Sequence, residues 1–381
     1  MLRISVVIPV FNGGSELQEC LDAIAASSHP VNECILVDDA STDGETRRIA
    51  ELHDATVIYL KEQQGPASAR NKGVEKASGD LVFFVDADVV VHPDALAKAV
   101  KVFGTEPETV AVFGSYDDEP GHRSFLSQYR NLFHHWVHQT GQDEASTFWT
   151  GCGVIRREIF MEMKGFRENY ERPSIEDIEL GSRLCRSGYR IRLEKAMLCT
   201  HLKQWKFWNL IKTDIFQRGV PWVTLLLHNR NAPSDLNLSH NSRIATILAG
   251  VLALSMMVLL LTGHAAALFP AAAFLLAAAV CVVLAGKLVG GSMPILILAI
   301  SAPLAAYLLA PDPLAVIPLT LILLIVWTHL AFYRYAAKKR NSAFAFAMTP
   351  MQVIFFLGCA VSGVLGLFMY FFGLVREPFA H

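Results

Sequence analysis

Leu81-Val82-Phe83-Phe84-Val85-Asp86-Ala87-Asp88 is a run of five apolar residues that ends in two carboxylates two residues apart. A short apolar run rich in β-branched and aromatic side chains predicts a buried strand, with the carboxylates delivered into the loop at its end. Hard oxygen ligands presented in that way match Mg²⁺ or Mn²⁺ on a diphosphate. A second acidic strand end, Val37-Asp38-Asp39, lies upstream. Together they point to sugar-nucleotide chemistry.

Working outward, residues 1–200 alternate β-branched runs with helical patterns. Strands are predicted near 4–10, 33–38, 56–60, 81–86 and 109–114, and helices near 15–27, 44–53, 66–77 and 93–103. That alternation predicts an α/β domain of βαβ units around a mostly parallel twisted sheet with flanking helices. Ser15-Glu16-Leu17-Gln18 has a capping-box pattern, followed by Leu17, Leu21 and Ile24 on one helical face. Ligands of such sheets gather at the carboxyl ends of the strands, where Asp38, Asp39, Asp86 and Asp88 all fall.

The 381-residue chain is 52% hydrophobic with a mean hydropathy of +0.35, too apolar for an ordinary soluble protein of that length. Apolar stretches at about 244–262, 265–285, 294–310, 313–333 and 351–375 approach the roughly 20 residues that cross a bilayer. This predicts a transmembrane domain over 241–381 with about five helices, or four if 294–333 is one span with a re-entrant piece. Between them and the α/β domain, residues 201–240 form an interfacial amphipathic segment and linker. There Trp205, Phe207, Trp208 and Phe216 mix with Lys203, Lys206, Lys212 and Arg218. The alternative for this segment is an amphipathic helix docked on the soluble domain.

Arg243, Lys287 and the cluster Arg334, Lys338, Lys339 and Arg340 flank alternate span ends, which places the catalytic half and these loops in the cytoplasm of a bacterial-type inner membrane. The tail after Val375 falls on the other side. Met1-Leu2-Arg3 runs straight into a strand pattern and leaves no room for a signal peptide, in keeping with a cytosolic first half. A net charge of -2 and no basic stripe argue against a nucleic-acid partner. The seven cysteines form no CxxC or zinc pattern and read as reduced thiols.

Val6-Val7-Ile8-Pro9-Val10-Phe11-Asn12, Val37-Asp38-Asp39-Ala40-Ser41-Thr42-Asp43, Ala69-Arg70-Asn71 and Asp86-Ala87-Asp88 occur in this order with strand-helix spacing. Together they resemble the nucleotide-binding half of glycosyltransferase family 2, of the GT-A fold, over about residues 4–222. The resemblance implies that Pro9, Phe11 and Asp39 line the nucleoside pocket and that Arg70 sits by the diphosphate. It also implies that Asp88 ligates Mg or Mn, with Asp86 toward the ribose and metal; His201, after a strand-like run, is either a further ligand or a structural histidine. Without the upstream motifs, Asp86 and Asp88 could simply cap the turn before His92-Pro93-Asp94.

Phe148-Trp149-Thr150-Gly151-Cys152-Gly153 is a small-residue loop flanked by aromatics, and the family likeness makes Trp149, Gly151 and Gly153 acceptor-binding, with Trp149 the platform. Ser174-Ile175-Glu176-Asp177 opens a helix, where Ser174 and Asp177 are spaced as cap and third helical residue. The family's Glu-Asp motif falls here, which implies Asp177 as general base on the acceptor hydroxyl and Glu176 in support. Gln217-Arg218-Gly219-Val220-Pro221-Trp222 is an imperfect match to the family's QxxRW element, leaving Arg218 and Trp222 near the acceptor mouth.

The resulting expectation is an inverting, metal-dependent transferase. It moves a sugar from a nucleotide-sugar donor, UDP-linked as a first guess, to a hydroxyl of a lipid or lipid-linked acceptor. Transfer to polyprenyl phosphate, processive polysaccharide synthesis and a non-catalytic membrane scaffold or transporter subunit are the competing readings.

Overall fold

A computed structural model of the chain describes residues 2–170, 172–229, 235–284 and 293–374. It divides into two compact units, one running up to Lys206 and the other Phe207–Leu374. Residues 230–234 of the predicted linker, Lys287 and the tail from 375 onward lie outside the described residues.

The first unit begins β1 (Ile4–Val10), α1 (Gly14–Ala25), β2 (Glu33–Asp38), α2 (Glu45–Glu51), β3 (Thr56–Tyr59), α3 (Pro66–Lys76), β4 (Leu81–Val85) and β5 (Val89–Val91). It continues with α4 (Ala95–Thr105), β6 (Thr109–Tyr116), α5 (Phe125–Thr140), β7 (Glu144–Ala145), β8 (Cys152–Arg156), α6 (Arg157–Glu162), α7 (Glu176–Arg186) and β9 (Arg190–His201). The strands form one sheet in the order β3-β2-β1-β4-β8-β6-β9-β5, with β7 also on β9. Strands β1, β2, β3, β4, β6 and β9 run one way, and β5, β7 and β8 run against them. This is the α/β, mostly parallel arrangement expected.

Both faces of the sheet are covered, which is why its central strands are apolar without alternation. On one face Val6, Ile8, Phe83 and Val85 share a core with Leu17, Leu21 and Ile24 of α1. On the other, Phe84 packs against Phe148, Phe160 and Phe166 at ring separations of 6.5, 5.5 and 5.3 Å. Helix α3 lies so close to β1 that a Cβ on Gly73 would stand 2.4 Å from Val7 Cγ1. The capping box at Ser15 does not form: α1 starts at Gly14, whose φ of +52° suits glycine, and no side chain caps it.

The second unit is helical among its described residues. It opens with α8 (Phe207–Lys212), a π-helical turn at Thr213–Gly219 and α9 (Val220–Asn229). There follow α10 (His240–Leu261), α11 (Phe269–Leu284), α12 (Met293–Leu309), α13 (Val316–Thr328), α14 (Leu330–Lys339), α15 (Ser342–Ala347) and α16 (Thr349–Phe371). Each of the five predicted apolar stretches is mainly helical over its described residues. Two helices, His240–Leu261 and Ser342–Phe371, are long and apolar enough to cross a membrane, and α13 and α14 form a third candidate bent by 68°.

Of the segment expected at the membrane interface, residues 213–229 pack within this unit on α16, whereas Lys203, Trp205 and Lys206 belong to the first unit. Ile215, Gly219 and Val223 recur every fourth residue and face Gly358, Ser362 and Gly366, which do the same. A Cβ on Gly219 would lie 2.2 Å from Ser362 Oγ, and one on Gly366 2.6 Å from Val223 Cγ1. Small residues at that spacing let two helix backbones approach closely.

Candidate functional site

Because six strands run together, the carboxyl ends of β1, β2, β4, β6 and β9 meet at one edge of the sheet. They carry Phe11, Asp38-Asp39, Asp86, Tyr116 and His201 there. Strand β8 runs the other way, so the Trp149-Thr150-Gly151 loop that feeds it reaches the same edge. Side chains then link into a closed circuit, beginning at Asp88. Its Oδ2 is 3.6 Å from His201 Nε2. The His201 ring stacks on Tyr116 at 4.4 Å and 9°, and Tyr116 meets Trp149 edge-on at 4.8 Å. Next to Trp149, the Thr150 N–H and Oγ–H donate to Asp177 Oδ2 at 3.3 and 3.4 Å. The neighbouring Glu176 accepts from Arg70 Nη1 at 3.0 Å, and Arg70 Nη2 donates to Asp86 Oδ1 at 2.7 Å. Asp86 lies two residues before Asp88 on the same loop, which completes the ring.

The sequence-predicted residues occupy this ring unequally. Pro9 is half-buried on β1, and Phe11, just beyond it, is exposed and free to stack on a flat ligand. Asp39 is buried, its two oxygens accepting from the N–H groups of Gln64 and Gly65 at 2.7 and 2.9 Å. Each oxygen retains a second lone pair. Arg70 is also buried, committed to two carboxylates rather than presented to solvent. The turn-capping alternative for Asp86 and Asp88 is not what is seen, since their side chains engage Arg70, His201 and Lys203.

Glycines 151 and 153 are needed for close approach. A Cβ on Gly151 would lie 2.4 Å from the Trp149 ring, and one on Gly153 2.3 Å from the Trp149 carbonyl oxygen. Ser174 is not a side-chain cap of α7: its N–H donates to Glu176 Oε2 at 2.9 Å, and Ile175 occupies the cap position. Arg218, in the π-helical turn, and Trp222, in α9, belong to the helical unit.

Two carboxylates are shifted in opposite directions. Burial raises the proton affinity of Asp177, the adjacent Glu176 raises it further, and Arg70 and the Thr150 and Ile178 amides only partly offset this, leaving its pKa at about 6. Burial also raises that of Asp88, but His201 and Lys203 outweigh it and hold the carboxyl well below the usual range. One group is thus poised to take a proton near neutrality, and the other stays anionic.

Three contributors escape sequence reading. Lys203 Nζ stands 3.7 Å from Asp88 Oδ2, and only its alternation with His201 on an extended segment could have signalled it. Thr150 holds Asp177, and Tyr116 carries the His201 stack. Tyr116 is itself fixed from α5, where His135 Nδ1 lies 2.6 Å from the Tyr116 carbonyl oxygen and His138 Nδ1 3.0 Å from that of Gly114. Burial pushes His138 down to about 4, so it is neutral at physiological pH and donates through Nδ1.

Among the described residues no three His, Cys, Asp or Glu side chains gather into a ready metal cluster. Asp88 and His201 nevertheless set a hard oxygen and an imidazole nitrogen side by side, already facing the cation Lys203. With Asp86 on the same loop, this donor set has the hard-oxygen and imidazole chemistry that suits a divalent ion.

Residues 5–164 match the model of the family described as Glycosyl transferase family 2. That match takes in 160 of the 381 residues, under half of the chain. The glycosyltransferase AglE of Haloferax volcanii is 35% identical over 114 residues, covering 28% of this chain and 38% of that protein. The poly-beta-1,6-N-acetyl-D-glucosamine synthase of Staphylococcus epidermidis is 30% identical over 115 residues, covering 29% of this chain and 28% of that protein. The chain therefore matches less than half the length of either relative. Among solved structures, the mannosyltransferase PcManGT of Pyrobaculum calidifontis, in complex with GDP-Man and Mn²⁺, superposes with a TM-score of 0.47 at 20% identity. That superposition covers 98% of this chain and 88% of the other.

Proposed function

We propose that this chain is an inverting glycosyltransferase that takes a sugar from a nucleotide-sugar donor to a hydroxyl of a lipid or lipid-linked acceptor, at the cytoplasmic face of a membrane. The observation that carries the reading is the closed circuit at the sheet edge. It joins the carboxylates suited to a donor's metal, Asp86 and Asp88, to a carboxylate of raised proton affinity, Asp177, across an aromatic platform. UDP is the first nucleotide to test, with Phe11 against the base and Asp39 below it.

In this mechanism the acceptor hydroxyl rests by Trp149 and Gly151 and loses its proton to Asp177 Oδ2 as its oxygen bonds to the anomeric carbon. The bond from that carbon to the diphosphate oxygen breaks, and the electron pair leaves with the nucleoside diphosphate. A Mg²⁺ or Mn²⁺ ion held by Asp88, Asp86 and His201 would neutralise the charge that develops on that leaving group. Glu176 is 4% exposed and has both oxygens engaged by Arg70 and the Ser174 amide, so it is a poor covalent nucleophile. A single displacement with inversion follows.

Polyprenyl phosphate as acceptor is disfavoured because an anionic acceptor needs no base. In the helical unit, Ile247, Val251, Leu254, Val258 and Leu261 line an exposed apolar face of α10, which suits lipid contact. Arg218 and Trp222, in the same unit, are proposed to engage the lipid portion of the acceptor. The test incubates the purified full chain with Mn²⁺, a panel of nucleotide sugars and bacterial lipid extract, and follows nucleoside diphosphate release. Release that needs both the lipid and one particular donor supports the reading, and no lipid-dependent release with any donor refutes it.

A further inference from the structure

We infer that Arg70 and Asn71 form a brace that sets the base-bearing helix α7 against the Asp86-Ala87-Asp88 loop, and that Arg70 is a positioning residue rather than a ligand of the donor diphosphate. This rests on the glycosyltransferase reading above and assigns one of its residues a different task from the one the family resemblance implies.

The geometry is specific. The Arg70 side chain is 5% exposed and spends one arm of its fork on each of two carboxylates from distant parts of the chain. These are Asp86 Oδ1 after β4, at 2.7 Å, and Glu176 Oε1 at the start of α7, at 3.0 Å. Its Nε is buried without a hydrogen-bond partner, and the Phe166 ring lies 5.8 Å from its Cζ. A diphosphate would have to compete for this fork with a buried ion pair to Glu176 and a partly buried one to Asp86.

Asn71 continues the tie. Its Oδ1 accepts from the Phe166 N–H at 2.9 Å, and its Nδ2 donates to the Phe166 carbonyl at 2.8 Å and to Glu168 Oε1 at 2.9 Å. Two successive residues of α3 therefore hold the segment leading into α7 and α7 itself. The same helix is preceded at its N-cap by Gly65, whose N–H donates to Asp39. Helix α3 thus connects Asp39, Asp86 and the α7 terminus that presents Asp177. A planar fork can span two carboxylates at fixed angles, whereas a lysine ammonium on a flexible stem cannot.

The experiment compares wild type, Arg70→Lys, Asn71→Ala and their double variant as full-length chains. It measures UDP affinity with Mn²⁺ by calorimetry, glycolipid formed per protein by mass spectrometry, and thermal midpoint. The brace predicts that Arg70→Lys keeps UDP affinity but lowers glycolipid formation about 10²-fold, the effect of displacing a catalytic group by about 1 Å. Asn71→Ala, which holds no charge for a diphosphate, should lower formation with UDP affinity unchanged, and the double variant should fall short of the product of the two losses.

Should Arg70→Lys fail to fold, as its thermal midpoint would reveal, Asn71→Ala decides alone. Weaker UDP binding in Arg70→Lys, by about tenfold or more and matching its loss of product, would overturn the proposal in favour of a direct diphosphate contact. So would normal glycolipid formation by Asn71→Ala. Failure of the wild-type chain to bind UDP or GDP with Mn²⁺ would instead defeat the glycosyltransferase reading itself.

Discussion

Asp177→Asn separates chemistry from stability in a way that few substitutions in this chain can. At wild type the Asp177 pKa stands at about 6, raised chiefly by burial and by Glu176. A folded-state value about two units above that of an ordinary carboxylate means that the native state holds the proton more tightly than the unfolded chain does. Its contribution to stability is full below about pH 4 and is lost as pH rises through 6, amounting to about 3 kcal/mol. Asparagine removes that charge while keeping an oxygen to accept the Ile178 N–H, which Asp177 Oδ1 now accepts at 2.8 Å. At pH 7.5 the variant should therefore melt no lower than wild type, and higher if the full effect is realised. The two should converge below about pH 4.

Turnover should fall about 10²–10⁴-fold, the usual contribution of a general base, with UDP affinity preserved. Wild-type turnover should drop tenfold per pH unit below about 6, and the residual activity of the variant should lack that limb. Differential scanning fluorimetry across pH, beside glycolipid formation in the same buffers, reads both. Near-normal turnover, or a variant that retains the acid limb, would refute Asp177 as base.

Other consequences follow from single contacts. Asp88→Asn should abolish the Mn²⁺ dependence of UDP binding, and calorimetry showing the same affinity gain from Mn²⁺ in both proteins would remove Asp88 from the metal site. Gly151→Ala places a methyl 2.4 Å from the Trp149 ring, so it should raise the apparent KM for the lipid acceptor while sparing UDP binding; an unchanged acceptor KM would dismiss Trp149 as the platform. Gly219→Ala forces a methyl against Ser362 and should cost about 1–3 kcal/mol of stability, seen as a lower melting temperature in detergent. Alanine at Lys338, Lys339 and Arg340 should redistribute topology reporters fused after α14, and an unaltered distribution would show that these cations do not orient the loop.

The parallel half of the sheet was legible because β1, β2 and β4 are nearly continuous apolar runs, buried on both faces. Each predicted strand there starts and stops within a residue of the structure. What the pattern hid is where polarity enters the core. Helix α5 buries Asn131, His135 and His138 against carbonyls of β6 and of Asp117 just after it, so polar side chains share the buried face with Tyr129, Leu132, Phe133 and Val137. Strand β8 begins Cys152-Gly153, and small residues there serve Trp149 rather than strand propensity. The carboxylates could be named from sequence because each ends a strand or opens a helix. Their partners could not, since Lys203, Tyr116 and Thr150 reach the site through pairing between strands that lie far apart in the chain. The partners of Arg70 were hidden for a related reason, since Asp86 and Glu176 lie 16 and 106 residues away in the chain.

The measurement that bears most directly on the account compares membrane lipids, by accurate-mass spectrometry, from cells making the wild-type chain and cells making Asp177→Asn at equal abundance. The account predicts a lipid heavier by one sugar residue that is present with wild type and lost with the variant. Indistinguishable lipid profiles, in cells whose wild-type chain binds UDP or GDP with Mn²⁺, would contradict it.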